Sequence, residues 1–256
     1  MIKLAAGRFG KAKAIEGFAN AGGVHIHYRM EGSGPAVLLL HGNGENMGIF
    51  EPHIAVLKDR FTVVCLDTRG HGRSESGEEP WSMALFAMDI SRVMDALSIE
   101  KAAVVGFSDG GNIALQLAIS CPQRVTAIVP VGANAWPLGL GPMAWLSIHL
   151  SYVGLCLAAP FSKDLAHKRR QYALMVKEPK LNRIALEGIT APTLIISGTK
   201  DIVTRRHTQT MATAIPGASL LYQEGARHDD FITHPEVYLP TIMDFLLRVG
   251  EGQKGA

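Results

Sequence analysis

Three short segments carry the residue types that could do covalent chemistry: Gly106-Phe107-Ser108-Asp109-Gly110-Gly111, Gly198-Thr199-Lys200-Asp201 and Gly225-Ala226-Arg227-His228. The first follows the apolar run Ala102 to Val105 and precedes a helix-like stretch through Ile119. That is the strand-turn-helix setting in which a G-x-S-x-G sequence becomes a nucleophile elbow. A serine on so tight a turn takes strained backbone angles, and small residues two before and two after it let strand and helix approach. Its hydroxyl then stands above the sheet at the positive end of a helix, where backbone N–H groups can meet an oxyanion. A serine hydroxyl is a weak nucleophile without a base, and the base needs an orienting carboxylate. Asp201 and His228 stand just past the runs Thr193 to Ser197 and Ser219 to Gln223, at strand carboxyl ends, the edge where ligands bind in open α/β sheets. The chain order Ser108, Asp201, His228 is nucleophile, acid, base. Asp229 and Asp230 compete for the histidine, but their adjacency to it makes alignment awkward, and Asp201 is the expected acid.

A fourth segment, His41-Gly42-Asn43-Gly44, ends the run Ala36 to Leu40, where glycines let a loop fold back toward the nucleophile. The backbone N–H groups of Asn43 and Asp109 are the expected oxyanion pair. His41, at a buried strand end, is expected to satisfy loop carbonyls rather than to take protons. The chemistry requires no metal and no organic cofactor: Ser108 attacks a carbonyl as His228 takes its proton, Asp201 holds the imidazole, and water releases the acyl group.

Such groups need a scaffold, and the sequence reads as one. Apolar, β-branched runs at Val24 to Met30, Ala36 to Leu40, Phe61 to Leu66, Ala102 to Phe107, Val125 to Val131, Thr193 to Ser197 and Ser219 to Gln223 alternate with helical patterns. The helical stretches are Ile49 to Lys58, Ser82 to Leu97, Gly110 to Ile119, Thr204 to Ile215 and Pro235 to Val249. This alternation predicts an α/β fold with a mostly parallel sheet flanked by helices. Runs such as Val37-Leu38-Leu39-Leu40 are continuous because a central parallel strand is buried on both faces. From Ala133 to Gly188 the rhythm stops, and so long an insertion reads as a small helical cap. The expected organisation is an N-terminal arm (1–22), a core domain (23–132 and 189–250), the cap (133–188) and a frayed polar tail (251–256).

In 256 residues, a formal net charge of +2 is spread along the chain, with no basic stripe to neutralise phosphates, so nucleic acid is not an indicated partner. Cys65, Cys121 and Cys156 are far apart and odd in number, which reads as buried thiols in a reducing cytoplasm. No Asp, Glu, Lys or Arg occurs between Arg124 and Lys163. Prolines and glycines interrupt that stretch, so a buried or lid helix beside a solvated basic helix is expected, without membrane association. Met143, Trp145, Leu146, Ile148, Leu150 and Val153 there are expected to line a mostly apolar acyl pocket of small to medium size.

With these motifs assembled, the chain resembles the α/β-hydrolase superfamily from about Gly23 to Gly250, as a serine hydrolase with an S-D-G-G elbow. Asp67-Thr68-Arg69-Gly70-His71-Gly72-Arg73-Ser74 is similar to that family's D-x-R-G-x-G-x-S loop, which is mainly architectural. The resemblance implies an eight-stranded, mostly parallel sheet and hydrolysis of ester, thioester, amide or C–C bonds in a small-molecule substrate. Members that open epoxides or displace halide use an aspartate nucleophile, so Ser108 argues against both. Carboxylic ester hydrolysis is the expected activity; C–C cleavage, perhydrolysis or acyl transfer on the same groups, or a low-turnover ligand receptor, are the alternatives. Asp109 departs from the commoner Met, Leu or Gln, and its carboxylate either faces the substrate or bonds locally.

Overall fold

A computed structural model of the protein describes residues 14–252. Eight strands form one sheet in the order β1-β2-β4-β3-β5-β6-β7-β8. They are β1 (Ile15–Asn20), β2 (His25–Gly32), β3 (Ala36–Leu40), β4 (Thr62–Leu66), β5 (Ala102–Phe107), β6 (Val125–Val131), β7 (Leu194–Gly198) and β8 (Ser219–Gln223). β2 runs antiparallel to both of its neighbours, and every other pairing is parallel. The continuous apolar runs owe their composition to two cores. Leu38 and Leu40 of β3 pack into one, Val37 and Leu39 into the other, and Val64 and Val63 of β4 divide in the same way. Each such side chain, fully buried, contributes about 1.5–3 kcal/mol.

Helices α2 (Met83–Ala96), α3 (Asp109–Ser120), α6 (Arg183–Glu187) and α7 (Arg205–Ala214) cover the first face, while α1 (Glu51–Leu57), α8 (Asp230–Thr233) and α9 (Pro235–Gly252) cover the second. Starts are set by caps: Ser82 Oγ accepts from the Leu85 N–H, and Thr204 Oγ1 from that of His207. Between β6 and β7 lie α4 (Pro142–Ala158) and α5 (Lys163–Lys177), which pack against each other, followed by α6.

Four differences from the sequence reading have physical causes. Ile15–Asn20, inside the stretch read as an arm, is an edge strand held by backbone pairing to β2, with Ile15 and Phe18 exposed; residues 1–13 lie outside the described residues. At the other end α9 continues through Gly252, into the stretch read as tail. Of the three thiols only Cys65 is buried; Cys121 is half-buried, and Cys156 is exposed on α4. Of the two readings of the charge-free stretch, a buried or a lid helix, the buried one does not hold, since α4 has no fully buried residue.

Candidate active site

The elbow is where sequence and backbone geometry meet most tightly. Ser108, between β5 and α3, has φ 53° and ψ −118°, a left-handed conformation that strains any residue with a Cβ. Its N–H donates to the Val131 carbonyl at 2.8 Å, which ties the turn to β6. Gly106 and Gly110 permit it: a Cβ on Gly106 would lie 2.1 Å from the Gly110 carbonyl oxygen, and one on Gly110 would lie 2.0 Å from that of Leu40.

The loops after β7 and β8 bring the two other predicted residues to this serine. His228 Nε2 is 3.0 Å from Ser108 Oγ, and His228 Nδ1 is 2.7 Å from Asp201 Oδ1. Asp201 Oδ1 also accepts the Val203 N–H at 2.9 Å, so this carboxylate is fixed by its own loop. As an ionised carboxylate accepts only, Nδ1 carries the imidazole proton and Nε2 is left to take one from the serine. Neither Asp229 nor Asp230 is the carboxylate at that distance; Asp230 begins α8.

Gly132, at the end of β6 with φ +60°, makes room for the imidazole: a Cβ there would stand 2.9 Å from His228 Cε1 and 3.0 Å from Nδ1. The sequence reading passed over it, although it follows an apolar strand just as Ser108 does. His41 is structural: its Nδ1 pairs with the Gly42 carbonyl at 2.7 Å, and its Nε2 accepts the Thr68 N–H at 3.0 Å. Burial lowers its pKa, which keeps it neutral in that role.

Around the serine lies a polar network that sequence reasoning did not foresee. The Asn43 side chain donates to Asp109 Oδ2 at 2.9 Å and to the Gln171 carbonyl of α5 at 3.0 Å. Asp109 Oδ1 accepts from Asn112 at 3.0 Å, and Asn112 is bonded in turn to both the side chain and the backbone of Asn134. Burial pushes the Asp109 carboxyl up to about 6, against the opposing effect of the Asn43 and Asn112 bonds. Glu45 accepts the Gly42 N–H at 2.8 Å, and burial raises its pKa as well. None of Glu45, Asn112 or Asn134 announces itself by type and spacing, because their partners come from other segments.

The cavity at Ser108 holds about 40 Å³, close to the ~30 Å³ share of one liquid water. Its lining is apolar at Leu140, Ile148, Met175, Ile202 and Val203 and polar at Asp109, Asn134 and Glu178. Of the six apolar side chains expected to line it, only Ile148 does so. Met143, Leu146, Leu150 and Val153 are exposed, and Trp145 stacks on His149 at 3.8 Å. Among the described residues no three His, Cys, Asp or Glu side chains are grouped to hold a metal ion. A hydroxyl, an imidazole and a carboxylate in line, at the start of a helix, form a set able to deliver a nucleophile and meet the charge it creates.

Known proteins share this architecture. Residues 35–147 match the family described as alpha/beta hydrolase fold. A protein of Caulobacter vibrioides named as a carbamate hydrolase, RutD, is 30% identical over 260 residues, covering 86% of this chain and 95% of its own length. The solved enol-lactonase of Burkholderia xenovorans LB400 superposes with a TM-score of 0.76 at 25% identity, covering 90% of this chain and all of its own. Est816, described as an N-acyl homoserine lactone degrading enzyme, gives 0.74 at 27% identity, again over 90% of this chain and 100% of its own.

Proposed function

The chain belongs to the α/β-hydrolase fold family, and we propose that within it this protein is a serine hydrolase that cleaves carboxylic esters with small to medium, mainly apolar acyl groups. The observation that carries the reading is the line from Ser108 Oγ to His228 Nε2, 3.0 Å, and from Nδ1 to Asp201 Oδ1, 2.7 Å. In this reading Ser108 Oγ bonds to the ester carbon while its proton passes to Nε2. The oxyanion is met by the N–H groups of Asn43 and Asp109, the latter at the first position of α3, where helix N–H groups have no intrahelical partner. Collapse expels the alkoxide, which takes the proton from Nε2 and leaves an acyl-serine. Water then adds to the acyl carbon, giving its proton to Nε2, and the serine leaves with that proton restored.

In this reading the acyl group lies against Leu140, Ile148 and Met175, and α4 and α5 serve as the cap over it. The names of two relatives, an enol-lactonase and an N-acyl homoserine lactone degrading enzyme, support ester chemistry for this set of groups.

The test is active-site labelling with a fluorophosphonate, run beside p-nitrophenyl esters from acetate to hexanoate. The wild type is expected to label and turn over, and Ser108→Ala to do neither while keeping its Tm. Turnover by Ser108→Ala removes the nucleophile assignment. Labelling without turnover of any ester moves the protein toward the alternatives, other acyl chemistry on the same groups or a ligand receptor. A flat or falling profile from acetate through hexanoate argues against the apolar acyl preference.

A further inference from the structure

The stretch from Pro142 to Phe161 contains no Asp, Glu, Lys or Arg and is long and apolar enough to cross a membrane, yet only 6% of its most apolar window is buried inside the protein. The inner side of this helix has partners: Ile148 reaches the catalytic cavity, and the Tyr152 ring faces the Lys177 ammonium at 6.0 Å. The outer side has none. Met143, Leu146, Leu150, Val153, Leu157 and Phe161 are exposed, and their three- and four-residue spacing sets them along one side of the helix. They make up six of the fifteen exposed large apolar side chains among the described residues. Such concentration marks an interaction surface rather than the ordinary scatter of apolar surface atoms.

Charge decides what the surface fits. Along α5, Lys163, Lys168, Arg169 and Lys177 are exposed, and Asp164 is the one acid of that helix. None of these four cations is in an ion pair among the described residues. Arg169, Arg170 and Lys177 line a cavity of about 370 Å³ together with Trp81 and Tyr152, so it opens beside α4. Arg170 stiffens that cavity: it donates to the Gly77 and Glu79 carbonyls and lies over the Trp81 ring at 4.5 Å. An uncharged apolar strip on a helix whose packed neighbour carries four exposed cations complements a surface that is hydrocarbon within and anionic at its rim. A second copy of this chain fits it poorly, because a two-fold contact through α4 would bring two sets of the same cations together.

We propose that the outer side of α4 docks on an anionic lipid bilayer, lying in the plane of the interface, with the exposed cations of α5 adding electrostatic attraction to the anionic headgroups. The helix lies along the membrane rather than crossing it, because its inner side stays packed on α5 and over the catalytic cavity. Such docking departs from the expectation of no membrane association drawn from the interrupted apolar sequence.

The test is co-sedimentation of the full chain with phosphatidylcholine vesicles, with and without phosphatidylglycerol. The wild type is expected to sediment with the anionic vesicles and to be released by salt. Leu150→Glu/Leu157→Glu and Arg169→Glu/Lys177→Glu are each expected to bind at least about tenfold more weakly, with circular dichroism unchanged. Should the leucine variant misfold, the charge-reversal variant and the salt dependence still decide. Absence of wild-type binding to anionic vesicles overturns the proposal, as does equally tight binding to neutral ones. A concentration-dependent dimer in light scattering that Leu150→Glu/Leu157→Glu dissolves also overturns it, assigning the surface to a second copy.

Discussion

Asp109 holds a carboxyl group where water hardly reaches, between two asparagine donors and at the start of α3. Its pKa of about 6 has a consequence for stability whose sign is set by burial. Below the ordinary carboxyl value near ~3.9, folded and unfolded chains are both protonated. Between there and about 6 the folded protein keeps a proton that the unfolded chain releases, so this group's contribution falls as pH rises. The whole loss is about 3 kcal/mol. Asp109→Asn has no such titration, so its stability relative to the wild type is expected to rise by about that amount from about pH 4 to about pH 7. Urea denaturation at both pH values measures it, and a pH-independent difference refutes the shift. At this scale the sequence was most informative where type and strand-end position coincide, as at Ser108, Asp201 and His228. It was silent where a role is conferred from elsewhere: Gly132 matters because His228 arrives beside it, and Asn112 because Asn134 and Asp109 close on it.

Among elements, those buried on both faces were the legible ones. β3, β5 and β6 coincide with their apolar runs because central position forces the composition. β1 escaped notice because an edge strand needs only backbone pairing on one side, and its Ile15 and Phe18 face solvent. The misplaced pocket lining of α4 has the same root, since the apolar side chains of that helix were expected to face inward. The loop from Asp67 to Ser74 shows the opposite case, a polar segment that is interior. Arg69, 1% exposed, makes a paired contact with Asp89 of α2 at 2.7 and 2.8 Å. Removing the carboxylate leaves the buried guanidinium with only the exposed Glu79, at 3.0 Å, so Asp89→Ala is expected to cost about 3 kcal/mol, the low end of the range for a broken buried pair. Chemical denaturation is the measurement. A loss below about 1 kcal/mol would mean that water reaches Arg69.

Over the whole molecule, a densely packed sheet carries a lightly attached pair of helices. β3 and β5 are buried almost throughout, whereas α4 has no fully buried residue and α5 only Leu174. Local opening free energies follow such differences. Amides of α4 and α5 are therefore expected to exchange hydrogen orders of magnitude faster than those of β3 and β5, and uniform protection across the chain would contradict it. These two helices also stand over the narrow cavity at Ser108, which they line through Ile148 and Met175. Asn43 stands at the seam, with one side-chain bond to Asp109 and another to the Gln171 carbonyl. A displacement of α5 would remove one of the two bonds that hold the Asn43 side chain beside Ser108. The covering helices and the loop beside Ser108 are thus tied through one side chain, so that what loosens the first loosens the second.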